Sequence, residues 1–178
     1  MNARMVSSRI LLVIGGLAML VGAVDPMEGS LLILPGSGLV ALGTYLGRAE
    51  SWLIALRLSV FLLIAIGVGA MLGLSAVGGI GGRSGHSMWW GLLILPYLIG
   101  WTVGIWGPGS PRWMAGLGIP VGLWYLTIFT MALRSGGRAG ESIWTGPLMV
   151  IATLGLVTIG GCIYRLSRGW RPASVPGS

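Results

Sequence analysis

Few residues in this chain have side chains that could support chemistry, and they are widely separated. The segment PGSG at 35–38 places a proline and a hydroxyl inside a long apolar run. The single histidine, His86, lies in a glycine-rich stretch with no second His or Cys nearby, and a lone loop histidine is seldom a metal or haem ligand. The single cysteine, Cys162, excludes an internal disulfide. All 11 basic residues are Arg, so a Lys Schiff base and a phosphate-loop Lys are excluded.

These residue types do not assemble an enzyme. No His stands near a nucleophile, no apolar segment carries a pair of carboxylates, and metal-ligating residues are not clustered. The PGSG segment resembles the serine environment of intramembrane rhomboid proteases, but the Gly-x-Ser-Gly order and an intramembrane His are both absent. We therefore expect no catalytic residue, no metal site and no cofactor.

The composition indicates a protein that uses lipid as its solvent. Hydrophobic residues make up 54% of the 178 residues, charged residues make up 8%, and the mean hydropathy is +0.89. A soluble domain has about 25% charged residues. Within a bilayer the backbone must satisfy its own hydrogen bonds, which leaves helices or a closed barrel. The apolar runs do not alternate in polarity, so they favour helices.

The predicted fold class is therefore an all-α integral membrane protein, a bundle of six transmembrane helices joined by short loops. We expect one transmembrane domain over residues 1–164, with helices at about 5–24, 29–47, 52–74, 88–106, 113–133 and 143–164. Residues 165–178 are predicted to form a basic, disordered cytoplasmic tail. Residues 1–23 also resemble a cleavable signal peptide, and the sequence leaves that alternative open.

The arginines predict the orientation in the membrane. Eight of the 11 fall on the side that holds both termini: Arg4, Arg9, Arg48, Arg57, Arg112, Arg165, Arg168 and Arg171. By the positive-inside rule this side is cytoplasmic, and we expect a bacterial inner membrane. Most tryptophans fall at segment ends, which supports the boundaries. Because the net charge of +7 is spread over segment ends, we expect lipid and not nucleic acid as the partner.

Proline interrupts three of the apolar segments near their centres. Pro35 removes a helical hydrogen bond and clashes with the carbonyl of Leu31, so we expect a kink or a break; after a break, Ser37 could cap a second half-helix. Pro96 and Pro120 are placed similarly. Several transporters use discontinuous helices at this depth to expose backbone groups to ions, although a simple kink is the commoner outcome.

Two sets of residues are candidates for function or packing. A ligand or ion pathway, or a pocket for a lipid-like or planar ligand, would involve Pro35, Gly36, Ser37, Gly38, Tyr97, Trp101, Trp124 and Tyr125. Ordinary packing is the simpler interpretation of the same residues. Glycines four apart predict close contacts between helices, with other proteins or with a second copy: Gly43, Gly47, Gly69, Gly73, Gly100, Gly104, Gly118 and Gly122. The side chain of Arg57 is expected to reach the inner membrane surface.

Three functions remain, in order of preference. The first is a non-enzymatic accessory or assembly subunit of a larger membrane complex. The alternative is a small-solute or ion permease that uses a broken second helix at 35–38. Six helices in about 180 residues also resemble the substrate-binding subunits of energy-coupling-factor vitamin transporters. The third is a membrane protein that binds a lipid or a planar ligand.

Overall fold

The computed structural model describes residues 3–22, 29–79, 88–110, 112–136 and 145–167, and all regular structure in these ranges is helical. Six α-helices are present in these ranges, and their ends lie within three residues of the predicted ones, except that the fourth begins at Leu95 and the predicted start at 88 begins a 3-10 helix instead. They are α1 Ala3–Val21, α2 Ser30–Leu46, α3 Ser51–Ala76, α4 Leu95–Trp106, α5 Arg112–Gly136 and α6 Thr145–Ser167. A 3-10 helix, Met88–Ile94, precedes α4. Residues 165–167 of the predicted tail belong to α6, and the rest of that tail lies outside the described residues.

Four of these helices are long and apolar enough to span a membrane. The qualifying segments are Ala3–Val21, Ser51–Ala76, Met114–Met131 and Met149–Ser167, whereas the apolar segments Ser30–Leu46 and Leu92–Trp106 are shorter. Large apolar side chains point outward on several of them; Val13, Ile66 and Met131 are each at least 60% exposed. Apolar surface of this extent requires a non-aqueous environment. The fold is that of a helical membrane protein.

The chain divides into two compact units, residues 1–109 and 110–178. In the first unit, consecutive helices pack as neighbours: α1 against α2, α2 against α3, and α3 against α4, with a smaller contact between α1 and α4. The second unit is the hairpin of α5 and α6. Ser8 meets Gly43 at one end of the α1–α2 contact and Gly22 meets Gly29 at the other, so these two helices are antiparallel. A single domain over residues 1–164 stays a prediction.

The structure contradicts one of the two outcomes expected at Pro35, a break in the second helix, whereas the commoner outcome, a kink, stays a prediction. Helix α2 runs without interruption from Ser30 to Leu46, with Pro35 inside it. Proline removes only one backbone donor, and a neighbouring helix can hold the remaining turns in place. The Ser37 hydroxyl does not cap a new helix but donates to the carbonyl of Leu34 over 2.7 Å.

Pro96 has a different role from Pro35. It stands in the first turn of α4, directly after the 3-10 segment ends at Ile94. A proline in the first turn costs no hydrogen bond, because the first backbone N–H groups of a helix have no intrahelical partner. The change of helix type in the fourth segment therefore coincides with its proline.

Candidate functional site

The most extensive helix contact in the first unit joins α1 and α2 through small residues that recur every seven positions. A Cβ atom on Gly15 would lie 2.6 Å from the carbonyl oxygen of Gly36, so the two backbones touch. The small residues of this contact are Ser8, Gly15 and Gly22 on one side and Gly29, Gly36 and Gly43 on the other. A strict period of seven keeps one stripe facing one partner along the whole contact. The sequence prediction, which looked for a spacing of four, missed this repeat.

Two of the predicted packing glycines lie at the end of this contact that is nearest the start of α1. A Cβ atom on Gly43 would lie 3.0 Å from the carbonyl oxygen of Ser8, and one on Gly47 would lie 2.7 Å from the Ser8 hydroxyl. That hydroxyl is buried and donates to the carbonyl of Gly43 over 2.7 Å. Close backbone approach and an interhelical hydrogen bond thus occur at the same place, a combination typical of helices packed in lipid.

Helices α3 and α4 approach each other in the same way. A Cβ atom on Gly67 would lie 2.4 Å from the Cβ and the backbone nitrogen of Tyr97. Gly100 lies against Ile64 at 2.9 Å, and Gly104 lies against Val60 at 3.0 Å by the same measure. Both of these glycines were predicted to be packing residues, whereas Gly67 was not in the predicted set.

The other predicted glycines divide into two kinds. In the second unit Gly118 is buried, and a Cβ atom on Gly122 would lie 2.9 Å from the carbonyl oxygen of Gly155. Gly69 and Gly73 of α3 are exposed, and a Cβ atom on either would meet nothing within 4 Å in the described part of the chain. Their role in packing stays a prediction.

The predicted pathway residues of α2 are packed between helices. Gly36 lies against Gly15, Ser37 is only 2% exposed, and a Cβ atom on Gly38 would lie 3.3 Å from the Phe61 ring. Pro35 alone of the four is exposed. The contacts on this segment therefore come from α1 and α3.

Two other predicted residues, Tyr97 and Trp101, also lie in the first unit. Tyr97 is 5% exposed and faces Gly67 of α3. The indole nitrogen of Trp101 donates to the carbonyl of Met19 over 3.2 Å, and its ring meets the Trp106 ring edge to face at 5.1 Å. Met19 lies in the last turn of α1, where carbonyls have no intrahelical donor. Trp101 therefore completes the C-terminal end of α1.

Trp124 and Tyr125, the remaining two, belong to the second unit and face different ways. Trp124 is 64% exposed, whereas Tyr125 is 6% exposed and lies against Gly155. Nearby hydroxyls bond back to their own helix: Thr127 donates to Leu123 over 2.9 Å. This is the ordinary behaviour of Thr in an apolar helix.

Arg57 differs from its prediction. Its side chain does not extend to a surface but is 6% exposed and donates to the carbonyls of Gly104 and Pro108, the second over 2.8 Å. Both carbonyls belong to the last turn of α4 or to the turn that follows. A cation at a helix C-terminus is favoured by the helix dipole. The close approach of Gly104 to α3 places this acceptor within reach, and no sequence pattern indicates that pairing.

Within the described ranges, no group of three or more His, Cys, Asp and Glu is placed to hold a metal ion. Searches of the chain against protein-family models, curated proteins and solved structures found no match. The class that the fold defines is a helical membrane protein with tight, small-residue helix contacts.

Proposed function

We propose that the protein is a non-enzymatic subunit of a larger membrane assembly. The observation that carries the proposal is an exposed stripe on α3, here called the α3 seam. Its residues alternate in spacing between four and three, and all are exposed: Ala55, Ser59, Leu62, Ile66, Gly69, Gly73 and Ala76. This alternation is the pattern by which one helix presents a continuous face to another.

The chemistry of the α3 seam resembles that of the contacts already made within the first unit. Small residues let two backbones approach closely, and close approach is what favours helix association in lipid. Gly69 and Gly73 leave open space in which a partner helix could approach as closely as α2 approaches Gly15. The partner we propose is therefore a transmembrane helix of another chain.

The polar side chains of the first unit give further support. Ser8, Ser37 and Thr44 are buried, and each donates to a backbone carbonyl. The bond from Ser8 joins two helices, whereas those from Ser37 and Thr44 return to their own helix, so none of the three hydroxyl donors remains for a permeating solute.

We further propose six membrane spans with both termini in the cytoplasm of a bacterial inner membrane. The support is the arginine distribution and the four long apolar helices. Helix α2 is joined to α3 through the four residues 47–50, a connection short enough for a membrane hairpin.

The test is extraction of the tagged full chain from native membranes in mild detergent, followed by native mass measurement and identification of co-migrating proteins. We expect a discrete assembly that Gly69→Leu or Gly73→Leu disrupts. Gly16→Leu is the matched control, because Gly16 of α1 also has open space within 4 Å. A lone monomer, or an assembly that survives both α3 variants, would overturn the proposal.

The permease alternative has less support. It required backbone groups exposed at a break in α2, but the helix is continuous and Ser37 is buried. A binding site for a lipid-like or planar ligand at Trp101 and Trp124 gains no specific support, since Trp101 is engaged with Met19 and Trp106.

A further inference from the structure

The C-terminal end of α2 has a partner for each of its last four carbonyls. Helix ends normally leave these groups without an intrahelical donor. Here the acceptors are served by side chains of α1 and by the turn after α2: Ser8 donates to Gly43, Ala49 to Thr44, Arg48 to Tyr45, and Arg4 to Leu46. The helix end is thus closed by its neighbours, and two of the four donors belong to arginines.

The turn that follows α2 holds Arg48 in an unusual backbone conformation. Its φ is +52°, and no other non-glycine residue in the described ranges has a positive φ. The backbone bonds from Arg48 to Tyr45 and from Ala49 to Thr44 form a Schellman motif, whose left-handed position is usually glycine. In this chain the glycine, Gly47, comes one residue earlier, and the left-handed position holds a cation.

The charge of both arginines is available at this end. Arg4 uses its Nε atom for Leu46 over 3.1 Å, and its two terminal nitrogens have no partner among the described residues. Arg48 is exposed, and its guanidinium likewise has no partner in the described part of the chain. The nearest acid in sequence, Glu50, accepts a hydrogen bond from the Trp52 indole and forms no ion pair with a described arginine.

Exposed apolar side chains are near these two cations in the sequence. Met5 is 56% exposed, Leu42 is 47% exposed and Tyr45 is 59% exposed. Because α1 is long enough to span a membrane, its first turn would lie where headgroups meet acyl chains. A cationic end next to exposed apolar residues matches a molecule with an anionic head and hydrocarbon tails.

We propose that Arg4 and Arg48 form a binding site for the phosphate of an anionic phospholipid, with its acyl chains against Met5, Leu42 and Tyr45. Guanidinium groups bind phosphate through paired, charge-assisted hydrogen bonds. Basic sites at helix ends are an established means of recognising anionic headgroups. The site requires no assembly partner, so it stands independently of the proposed function.

The experiment is native mass spectrometry of the purified full chain after incubation in mixed micelles of phosphatidylglycerol and phosphatidylcholine. The wild type is expected to retain phosphatidylglycerol selectively. The informative variant is Arg48→Gly, because glycine is the residue that this turn prefers and the fold should persist. We expect about a tenfold loss of selective retention, the factor that follows from one hydrogen bond to a charged group.

Arg9→Gln is the matched control. Arg9 is also exposed and lies on α1, but it is five residues from Arg4 and therefore on a different face of the helix. An equal loss in Arg9→Gln and Arg48→Gly would overturn the site in favour of diffuse attraction. Retention unchanged in Arg48→Gly would also overturn it. If glycerol phosphate without acyl chains displaces the lipid as well as phosphatidylglycerol does, the proposed contact with the apolar residues is wrong.

Discussion

The guanidinium of Arg57 on α3 donates a hydrogen bond to the carbonyl oxygen of Gly104 on α4. A second bond reaches Pro108 in the turn after that helix. One buried side chain therefore joins the beginning of α3 to the end of α4, and its charge lies at the negative end of the α4 dipole. The absence of a side chain at Gly104 allows the two helices to come this close.

Replacing Arg57 with Met should destabilise the first unit by about 2 kcal/mol. The variant leaves two carbonyls without this donor, each worth about 1–3 kcal/mol, while removal of a buried charge offsets part of the loss. The stability of Arg57→Lys should lie between those of the wild type and Arg57→Met, because one ammonium cannot reproduce the fork of a guanidinium. The measurement is the free energy of unfolding in mixed micelles. Arg9→Met serves as the exposed control, and an equal effect in both would contradict the argument.

The contact of Gly67 with Tyr97 predicts a contrast between two glycines of the same helix. In Gly67→Ala the new methyl would lie 2.4 Å from the Tyr97 backbone nitrogen and Cβ, so the helices must separate. We expect a loss of about 1–3 kcal/mol, the usual cost of overpacking. Gly69→Ala meets nothing within 4 Å and should be neutral or slightly stabilising for an isolated chain. Equal thermal stabilities of the two variants would show that α3 and α4 do not pack as described.

Ser8 and Gly47 should be energetically coupled. Ser8→Ala removes one interhelical hydrogen bond, which is worth about 0.6 kcal/mol on average in a membrane protein. The Gly43 carbonyl keeps its backbone donor from Gly47, so the loss should stay small. Gly47→Ala brings a methyl within 2.7 Å of the Ser8 hydroxyl, and this conflict disappears when that hydroxyl is absent. A double-mutant cycle of unfolding free energies should therefore be non-additive, and strict additivity would contradict the contact.

The positions of the helices could be predicted from the sequence, whereas most of their contacts could not. Apolar runs bounded by Trp and Arg fix where a helix begins and ends, because lipid and water differ so strongly as solvents. Which helix packs against which depends on the helix faces that meet in the folded chain. The seven-residue repeat from Ser8 to Gly22 is visible in the sequence, but its complement at Gly29, Gly36 and Gly43 has meaning only once α1 and α2 are antiparallel.

The error at Arg57 and the unsupported alternative of a break at Pro35 have a common physical origin. Both consider one helix in isolation, where a proline weakens the chain and a charge must reach water. In the structure, neighbours change both outcomes. Helix α1 packs against Gly36 beside the proline, and α4 supplies carbonyls that bind the guanidinium. Tertiary contacts thus supply what the local sequence lacks.

Accessibility at Ser37 separates the assembly subunit from the permease. Ser37 is 2% exposed and lies in a continuous helix, so a cysteine at this position should not react with a membrane-impermeant thiol reagent. The substitution belongs in a Cys162→Ser background, which removes the native thiol. Ser75→Cys is the positive control, since Ser75 is exposed in the last turns of α3. Modification of Ser37→Cys in intact membranes would reveal an aqueous path to the middle of α2, and the permease would then become the better explanation of this chain.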